Sequence, residues 1–263
     1  MRYAVGLEYD GSGFYGWQVQ VQEPTVQGAL EKALSKVANE FIRVSCCGRT
    51  DTGVHAWGQV AHFDTDVKRP DHSWVLGANR YLPAGISLLW IKEVDPDFHA
   101  RFSAISRSYR YCILNRRIRP AIDVNRKAWC SEPLNENLMN QAAQALAGVH
   151  DFSSFRAAAC QSHHAVRDIK NIQVSRKLDK VTLDITANGF LYHMVRNIAG
   201  SLIAIGRGDR SVEWLSEVLE LQDRTKAAST ASAVGLYFMS ARYPSHYELP
   251  DEGHSFVFQG DPS

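Results

Sequence analysis

The chain has 263 residues, of which 45% are hydrophobic and 22% charged, with a formal net charge of +1. That composition belongs to a globular protein with room for one large core or two modest ones, and it excludes a disordered, fibrous or repeat chain. No apolar run approaches the ~20 residues of a membrane span, and Glu8 and Asp10 interrupt the opening segment where a signal peptide would be apolar.

Tyr3, Val5, Leu7 and Tyr9 alternate with smaller or charged residues over 1–9, which predicts a half-buried strand, and the glycines of 10–16 predict a turn. From Thr25 the period changes, and Val26, Leu30, Ala33, Val37 and Phe41 fall on one face of a helix. Strands are expected over 42–47 and 58–63, flanking a loop with Gly48 and Gly53, and again over 87–94. The stretch 98–106 reads as a junction. Beyond it, Tyr109, Tyr111 and Ile113 alternate with Arg110, Cys112 and Leu114 in a strand over 108–114. A helix over 135–147 has Asn135 as N-cap and Gly148 as stop; 169–178 and 180–187 resemble a hairpin. Val195, Ile198, Ala199 and Leu202 mark an apolar helix over 192–205 ended by Gly206. A short amphipathic helix over 211–221 and a final strand over 236–243 complete the pattern. Strands mixed with a few helices, without regular βαβ alternation, predict an α+β fold with largely antiparallel sheet. The expected organisation is two α+β halves, 1–104 and 105–245, sharing a sheet with a cleft between them, then an acidic tail, 246–263.

The near-zero net charge hides a basic middle. Between His99 and Lys127 stand Arg101, Arg107, Arg110, Arg116, Arg117, Arg119, Arg126 and Lys127, against the single acid Asp123. Phe102, Tyr109 and Tyr111 lie among them, the charge and stacking pattern of an RNA surface. Five cysteines, an odd number without a C-x-x-C pair, read as free thiols in a reducing compartment, so the chain is expected to be cytoplasmic. Cys46, Cys47, His55 and His62, and the pair His163 and His164, have no zinc-ligand spacing, and no phosphate-binding glycine loop or dinucleotide fingerprint occurs. No metal and no cofactor are expected.

Three segments could carry chemistry. In Gly48-Arg49-Thr50-Asp51-Thr52-Gly53-Val54-His55 an acid sits between two glycines at a strand end, a rigid place to present a carboxylate, although Asp and Thr also stabilise plain turns. In the greasy segment 189–197, Arg196 is costly to bury unless a carboxylate answers it; Asp51 is the obvious partner, which a guanidinium would hold ionised as a nucleophile requires. In Arg107-Ser108-Tyr109-Arg110-Tyr111 the tyrosines share one strand face and the basic residues are expected with Ser108 on the other; a Tyr there stacks on an extruded base or packs in the core.

Tyr9-Asp10-Gly11 with Phe14-Tyr15-Gly16-Trp17-Gln18, GRTDTGVHA at 48–56, HARFSA at 99–104, SYRY at 108–111, HDFSSFR at 150–156, FLYHMVRNIAGSL at 190–202 and GLYF at 235–238 occur in the order found in the TruA-type tRNA pseudouridine synthases. The chain resembles that family from about residue 3 to about residue 243. Ser108 stands where many relatives carry Arg or Lys, and Val234 where many carry an acid. The resemblance implies the pseudouridine synthase fold, two ferredoxin-like halves around a central active-site cleft. It implies that Asp51 is the catalytic aspartate, paired with Arg196, and that Arg49 helps displace the target base on which Tyr109 stacks. His55, Arg107 and Arg110, inside the same motifs, are expected on the substrate side. The implied activity is isomerisation of uridine at tRNA positions 38, 39 and 40 by a homodimer across which the tRNA lies, with no protein partner and no membrane. Two other readings compete: a non-catalytic RNA-binding module, and an Asp-dependent nucleoside hydrolase. The hydrolase would want a second catalytic carboxylate, for which the motifs offer only Asp10 and Asp151, more simply turn or capping residues.

Overall fold

The structure, a computed structural model, describes residues 1–250. β1 (Arg2–Tyr9) opens the chain. It is buried on both faces, not one: Tyr3, Val5 and Leu7 pack in the core, Ala4 is buried behind them, and the Trp90 indole fills the space a Cβ on Gly6 would need. A 3-10 turn at Gly11–Gly13, capped by the Asp10 carboxylate, leads to α1 (Val26–Ala38). Thr25 caps α1 by accepting from the Gly28 amide, and Asn39 ends it in the left-handed region. The helix therefore stops before Phe41, whose side chain is exposed instead of continuing the apolar face.

Of the strand expected over 42–47 only β2 (Ser45–Cys46) pairs, against β3 (His55–Asp64). α2 (Asp71–Tyr81) has no counterpart in the sequence-based expectation. Its buried residues are Trp74 and Ala78, with Val75 half-buried against the same core, and Pro70 offers no side-chain cap, so the apolar pattern is short and no cap announces it. β4 (Ile86–Val94), β5 (Ser106–Asn115) and β6 (Ala128–Cys130) follow. α3 (Glu136–Ala143) is capped by Asn135, which accepts from the Asn137 and Leu138 amides, and a 3-10 turn extends it to Leu146. Next come β7 (Gly148–Asp151), the hairpin of β8 (Val166–Lys177) and β9 (Lys180–Ala187), α4 (Met194–Gly206), α5 (Trp214–Leu221) and β10 (Leu236–Arg242).

These strands form one sheet in the order β4-β1-β3-β10-β5-β9-β8-β7, with β2 added to β3 and β6 to β5. The architecture is the expected α+β with a largely antiparallel sheet; only β10 on β3 and β6 on β5 run parallel. β10 closes the gap between the halves, pairing Tyr237 and Phe238 with His55 and Ala56 on one side and running against Ser106–Tyr111 on the other.

One core gathers α1 and α2 over β1, β3 and β4, and a second gathers α3, α4 and α5 over β5, β8 and β9. Leu236 faces Tyr111 and Phe238 faces Tyr109 in register, so all four side chains share one side of the sheet. Leu236 and Tyr111 belong to the second core and Phe238 to the first, which puts both helical layers on that side. Tyr109 touches both cores and marks the seam between them. The other side of the second half is polar, with Ser108 bonded to Thr186 at 2.8 Å and Arg110 to Asp184 at 2.6 Å. The chain beyond β10 turns back onto the first half, where Tyr247 packs on Phe98 and the Glu248 carbonyl receives Lys92. Residues 246–250 are therefore docked, and the rest of the expected acidic tail, 251–263, lies outside the described residues.

His62, buried on β3, accepts a 3.2 Å bond from the Ala100 amide on Nδ1. Burial, with His99 and Arg2 nearby, lowers its pKa from 6.5 to about 4. Between those values the unfolded chain binds a proton that the folded one refuses, so stability is lost as pH falls through that window. The thermal midpoint should decline from about pH 7 to about pH 4.5, and His62→Gln should flatten the decline. Identical slopes in the two proteins would assign the acid sensitivity to other groups.

Candidate active site

The loop carrying Asp51 joins β2 to β3 at the seam, and buried polar groups hold it from below. Gln59, fully buried on β3, donates from Nε2 to the Gly48 carbonyl at 2.7 Å and to Tyr9 Oη at 3.3 Å. Tyr9 Oη in turn shares a 2.8 Å bond with Thr50 Oγ1. The Trp17 amide donates to the Thr50 carbonyl at 3.0 Å, and the Val54 amide to the Asp51 carbonyl at 3.1 Å. Gly16 backs this loop with a φ of +81°, and a Cβ there would stand 2.8 Å from the Thr50 carbonyl oxygen. Position 16 therefore needs glycine twice over, for its left-handed backbone and for the close approach. Gly48 has a different reason: a Cβ would crowd Phe238 and Tyr109 Oη at 3.3 and 3.4 Å.

The opposite wall is the start of α4. Arg196 Nη1 donates to Asp51 Oδ2 at 2.9 Å, while its Nε donates to the Ala231 carbonyl at 2.9 Å and its own carbonyl accepts from the Ala231 amide. The pair expected from the sequence is thus formed, with side chains 16% exposed for Arg196 and 24% for Asp51. Asn197, fully buried beside it, donates to the Phe155 carbonyl and accepts from Arg224 and Thr230. These bonds strap the segment after α5 across α4 and fix the guanidinium before any substrate arrives.

His193 is the neighbour of Asp51 that sequence reasoning missed. Its Nε2 lies 3.2 Å from Asp51 Oδ2, the oxygen that Arg196 holds. Burial, Arg196 and Arg224 lower its pKa against the opposing pull of Asp51, which favours the neutral ring, and no hydrogen bond joins the two side chains. No signal for it stood in the sequence, because its place follows from a left-handed backbone just before α4.

Tyr109 stands edge-on between Phe190 and Phe238, with ring centroids at 4.9 and 5.2 Å. Burial first, then the nearby Cys47, Tyr9 and Asp51, raise its pKa far above the usual tyrosine value. Its hydroxyl stays protonated at physiological pH and reaches a substrate as a hydrogen-bond donor or acceptor, not as a phenolate. Arg49 is exposed beside Asp51 in sequence.

The remaining expected residues stand apart from this group. His55 is 2% exposed: Nε2 donates to the Val234 carbonyl at 3.1 Å, Nδ1 accepts from the Gly11 amide, and the ring stacks on Tyr237. It bolts the first half to the turn before β10. Arg107 is not on the face of Ser108: its odd position places it with Tyr109, and its guanidinium bonds the carbonyls of Arg101, Ala104 and Asn188. Arg110 does lie opposite and is taken by Asp184. Asp10 and Asp151 are the capping residues expected, accepting from the amides of Ser12 and Ser153. Asp10 also pairs with Arg126.

A partly exposed carboxylate, clamped on one oxygen at the seam of two cores beside a protonated tyrosine, defines an enzyme site built for nucleophilic or acid–base chemistry. A family model described as tRNA pseudouridine synthase matches residues 7–103 and 142–244. A "tRNA pseudouridine synthase A" of Hydrogenovibrio crunogenus is 54% identical over 247 residues, 94% of each chain. Proteins with the same name from Yersinia pseudotuberculosis and Idiomarina loihiensis are 53% and 51% identical over 261 residues, covering 99% of this chain and 99% and 100% of theirs. Among solved structures, a chain of a Cbf5-Nop10-Gar1 complex aligns with 90% of this chain and 48% of its own at 9% identity and a TM-score of 0.38. The chain belongs to the tRNA pseudouridine synthase family, whose members are isomerases.

Gly16→Ala should lower stability by about 1–3 kcal/mol, because a side chain there meets both the strained backbone and the Thr50 carbonyl. Thermal or urea unfolding measures it, and an unchanged midpoint would show that the loop can move aside freely.

Proposed function

We propose that this protein isomerises uridine to pseudouridine at positions 38, 39 and 40 of the tRNA anticodon arm, with Asp51 as nucleophile. The observation that carries the reading is the Asp51 carboxylate, held on Oδ2 by Arg196 and left partly exposed beside Tyr109. The reaction breaks the N1–C1′ bond of the nucleoside and forms a C5–C1′ bond; N1 gains a proton and C5 gives one up to solvent. Nothing is oxidised and the composition of the nucleoside is unchanged, so the site needs a nucleophile, a surface that keeps the free base and a route for one proton. Asp51 supplies the first and the Tyr109 ring the second.

The target uridine must leave its stack, at a cost of a few kcal/mol that protein contacts offset. Exposed Arg49, on the Asp51 loop, is placed by sequence to take the vacated space. Phosphate contacts fall to fewer residues than the composition suggested. Of the eight cations over 99–127, Arg110, Arg116, Arg126 and Lys127 are ion-paired within the protein and Arg107 is bound to carbonyls. Arg101, Arg117 and Arg119 are exposed and have no ion pair among the described residues. We assign these three to the RNA backbone. The protein acts as a homodimer with the tRNA across both subunits, in the cytoplasm where its substrate is found.

Two measurements test this. With tRNA transcripts tritiated at uridine C5, wild type should release tritium to water and Asp51→Asn should not, while still binding tRNA. Release by both proteins removes Asp51 as nucleophile, and release by neither points to an RNA-binding module. In salt titrations of tRNA binding, removing Arg101, Arg117 and Arg119 together as glutamines should reduce the log–log slope by about 2–3, whereas Arg110→Gln should leave it within error. The reverse result would relocate the RNA path.

A further inference from the structure

We propose that Arg156 and Arg167, backed by the charge of Arg107, bind the RNA phosphodiester next to the target uridine, an inference that rests on the activity proposed above. Ser162 joins the first two: Arg156 Nη2 donates to its carbonyl at 2.7 Å, and Arg167 Nη2 to its hydroxyl at 2.8 Å. Asn188 and Gly189 join Arg107 to Arg167. Arg107 Nη1 donates to the Asn188 carbonyl at 2.8 Å, and a Cβ on Gly189 would lie 3.5 Å from Arg167 Nε. Three guanidinium groups are thereby gathered, and their hydrogen bonds to oxygen all end on neutral groups. Among the described residues no carboxylate pairs with any of them. Asp168, next to Arg167 in the chain, lies on the other face of β8.

Loop carbonyls account for the directions of these side chains but not for their charge. Like charges held together without an acid repel one another, and a bound anion relieves the repulsion. Two groups record that field. Burial first, then Arg156 and Arg107, lower the pKa of Arg167. Burial raises that of the Cys160 thiol, but the amides of Tyr192 and Ser162 and the Arg156 guanidinium outweigh it, and the thiol stands below its ordinary value. Donors also remain. Arg167 bonds through Nη1 and Nη2, which leaves its Nε–H without a partner among the described residues, and Arg156 makes both of its carbonyl bonds from Nη2. The fork of a guanidinium matches the paired oxygens of a phosphodiester. The cluster also borders the Asp51 site. Gly189 precedes Phe190, whose ring packs on Tyr109 at 4.9 Å, and the Ala157 amide donates to the Tyr192 carbonyl at 3.1 Å. Phe155, just before Arg156, gives its carbonyl to Asn197, the neighbour of Arg196. A backbone phosphate beside an extruded base is the anion that such a border meets.

The test measures binding of anticodon-arm RNAs by wild type, Arg156→Gln/Arg167→Gln and Gly189→Asp. Two of the RNAs carry a neutral methylphosphonate, one 5′ and one 3′ of the target uridine. Wild type should bind one of these two about 10- to 100-fold more weakly than unmodified RNA, the loss expected for hydrogen bonds to a charged group. The double variant should bind unmodified RNA weakly to a similar degree, and lose less than about twofold more with that methylphosphonate. Its log–log salt slope should fall by about 1. Gly189→Asp keeps all three arginines and their loop bonds while setting a carboxylate beside Arg167 Nε. It should behave as the double variant does, which covers the case in which the glutamines loosen the loops. Equal affinities across the proteins, or losses from protein and RNA that simply add, overturn the proposal. Inorganic phosphate bound by wild type, with neither methylphosphonate mattering, would give the cluster to a free anion and overturn it too. A wild type that releases no tritium from the same RNA labelled at uridine C5 would instead overturn the activity, and that failure is read separately from the binding.

Discussion

The contact on which the site depends is the ion pair between Asp51 and Arg196, residues 145 apart in sequence and on opposite sides of the seam. A half-buried pair gives up part of its hydration on both sides, and it is tolerated only where geometry is good and the remaining donors are used. Both conditions hold. The guanidinium uses its Nε on Ala231, and His193 Nε2 stands 3.2 Å from the carboxylate oxygen that Arg196 holds. Neither partner bends to reach the other, since each is fixed from behind. The Asp51 loop rests on Gln59, Tyr9 and Thr50, and α4 is strapped by Asn197, Arg224 and Thr230. The polar groups buried in these supports are hydrogen-bonded, which makes them rigid instead of costly.

The sheet supplies the floor. Because Leu236 with Tyr111 and Phe238 with Tyr109 share one side, the two helical layers stand side by side on it, and Tyr109 lies at the seam between them. The polar reverse side carries the Arg110–Asp184 and Ser108–Thr186 pairs and needs no cover in that half. The two-residue period of one strand thus turns Tyr109 of β5 towards the seam and its neighbours Ser108 and Arg110 to the polar reverse side.

Much of this was legible in the sequence, and the exceptions have physical causes. The β8–β9 hairpin, α4 and the Asn135 cap follow from period and capping chemistry, and the Arg196–Asp51 pair from the cost of a lone cation on an apolar helix. α2 was invisible because its apolar pattern is short, Trp74 and Ala78 with the half-buried Val75, and Pro70 makes no cap signal. Phe41 continued a helical stripe that the left-handed Asn39 cuts short. The basic middle overstated the cationic surface because Asp184 and Asp179 of the β8–β9 hairpin and Asp10 neutralise it from two distant parts of the chain, and Asp123 locally. Sequence distance hides such partners. His193 escaped because its contact depends on a left-handed backbone that no residue type announces; Gln59 escaped because a lone polar residue in an apolar strand reads as an edge, not a bolt.

β10 has a further consequence, for the order in which the molecule is made. It is the strand that joins the halves, yet it is the last to be synthesised, after 235 other residues. Until it emerges, β3 and β5 each present an unpaired edge, and each half can bury its own helices without setting the width of the groove. The carboxylate, the guanidinium and the tyrosine then exist as separate surfaces. Inserting β10 satisfies both edges in one event, and that event brings the three into register. Assembly of this arrangement is thereby coupled to the synthesis of β10, and a nascent protein that lacks it carries Asp51, Arg196 and Tyr109 without bringing them together.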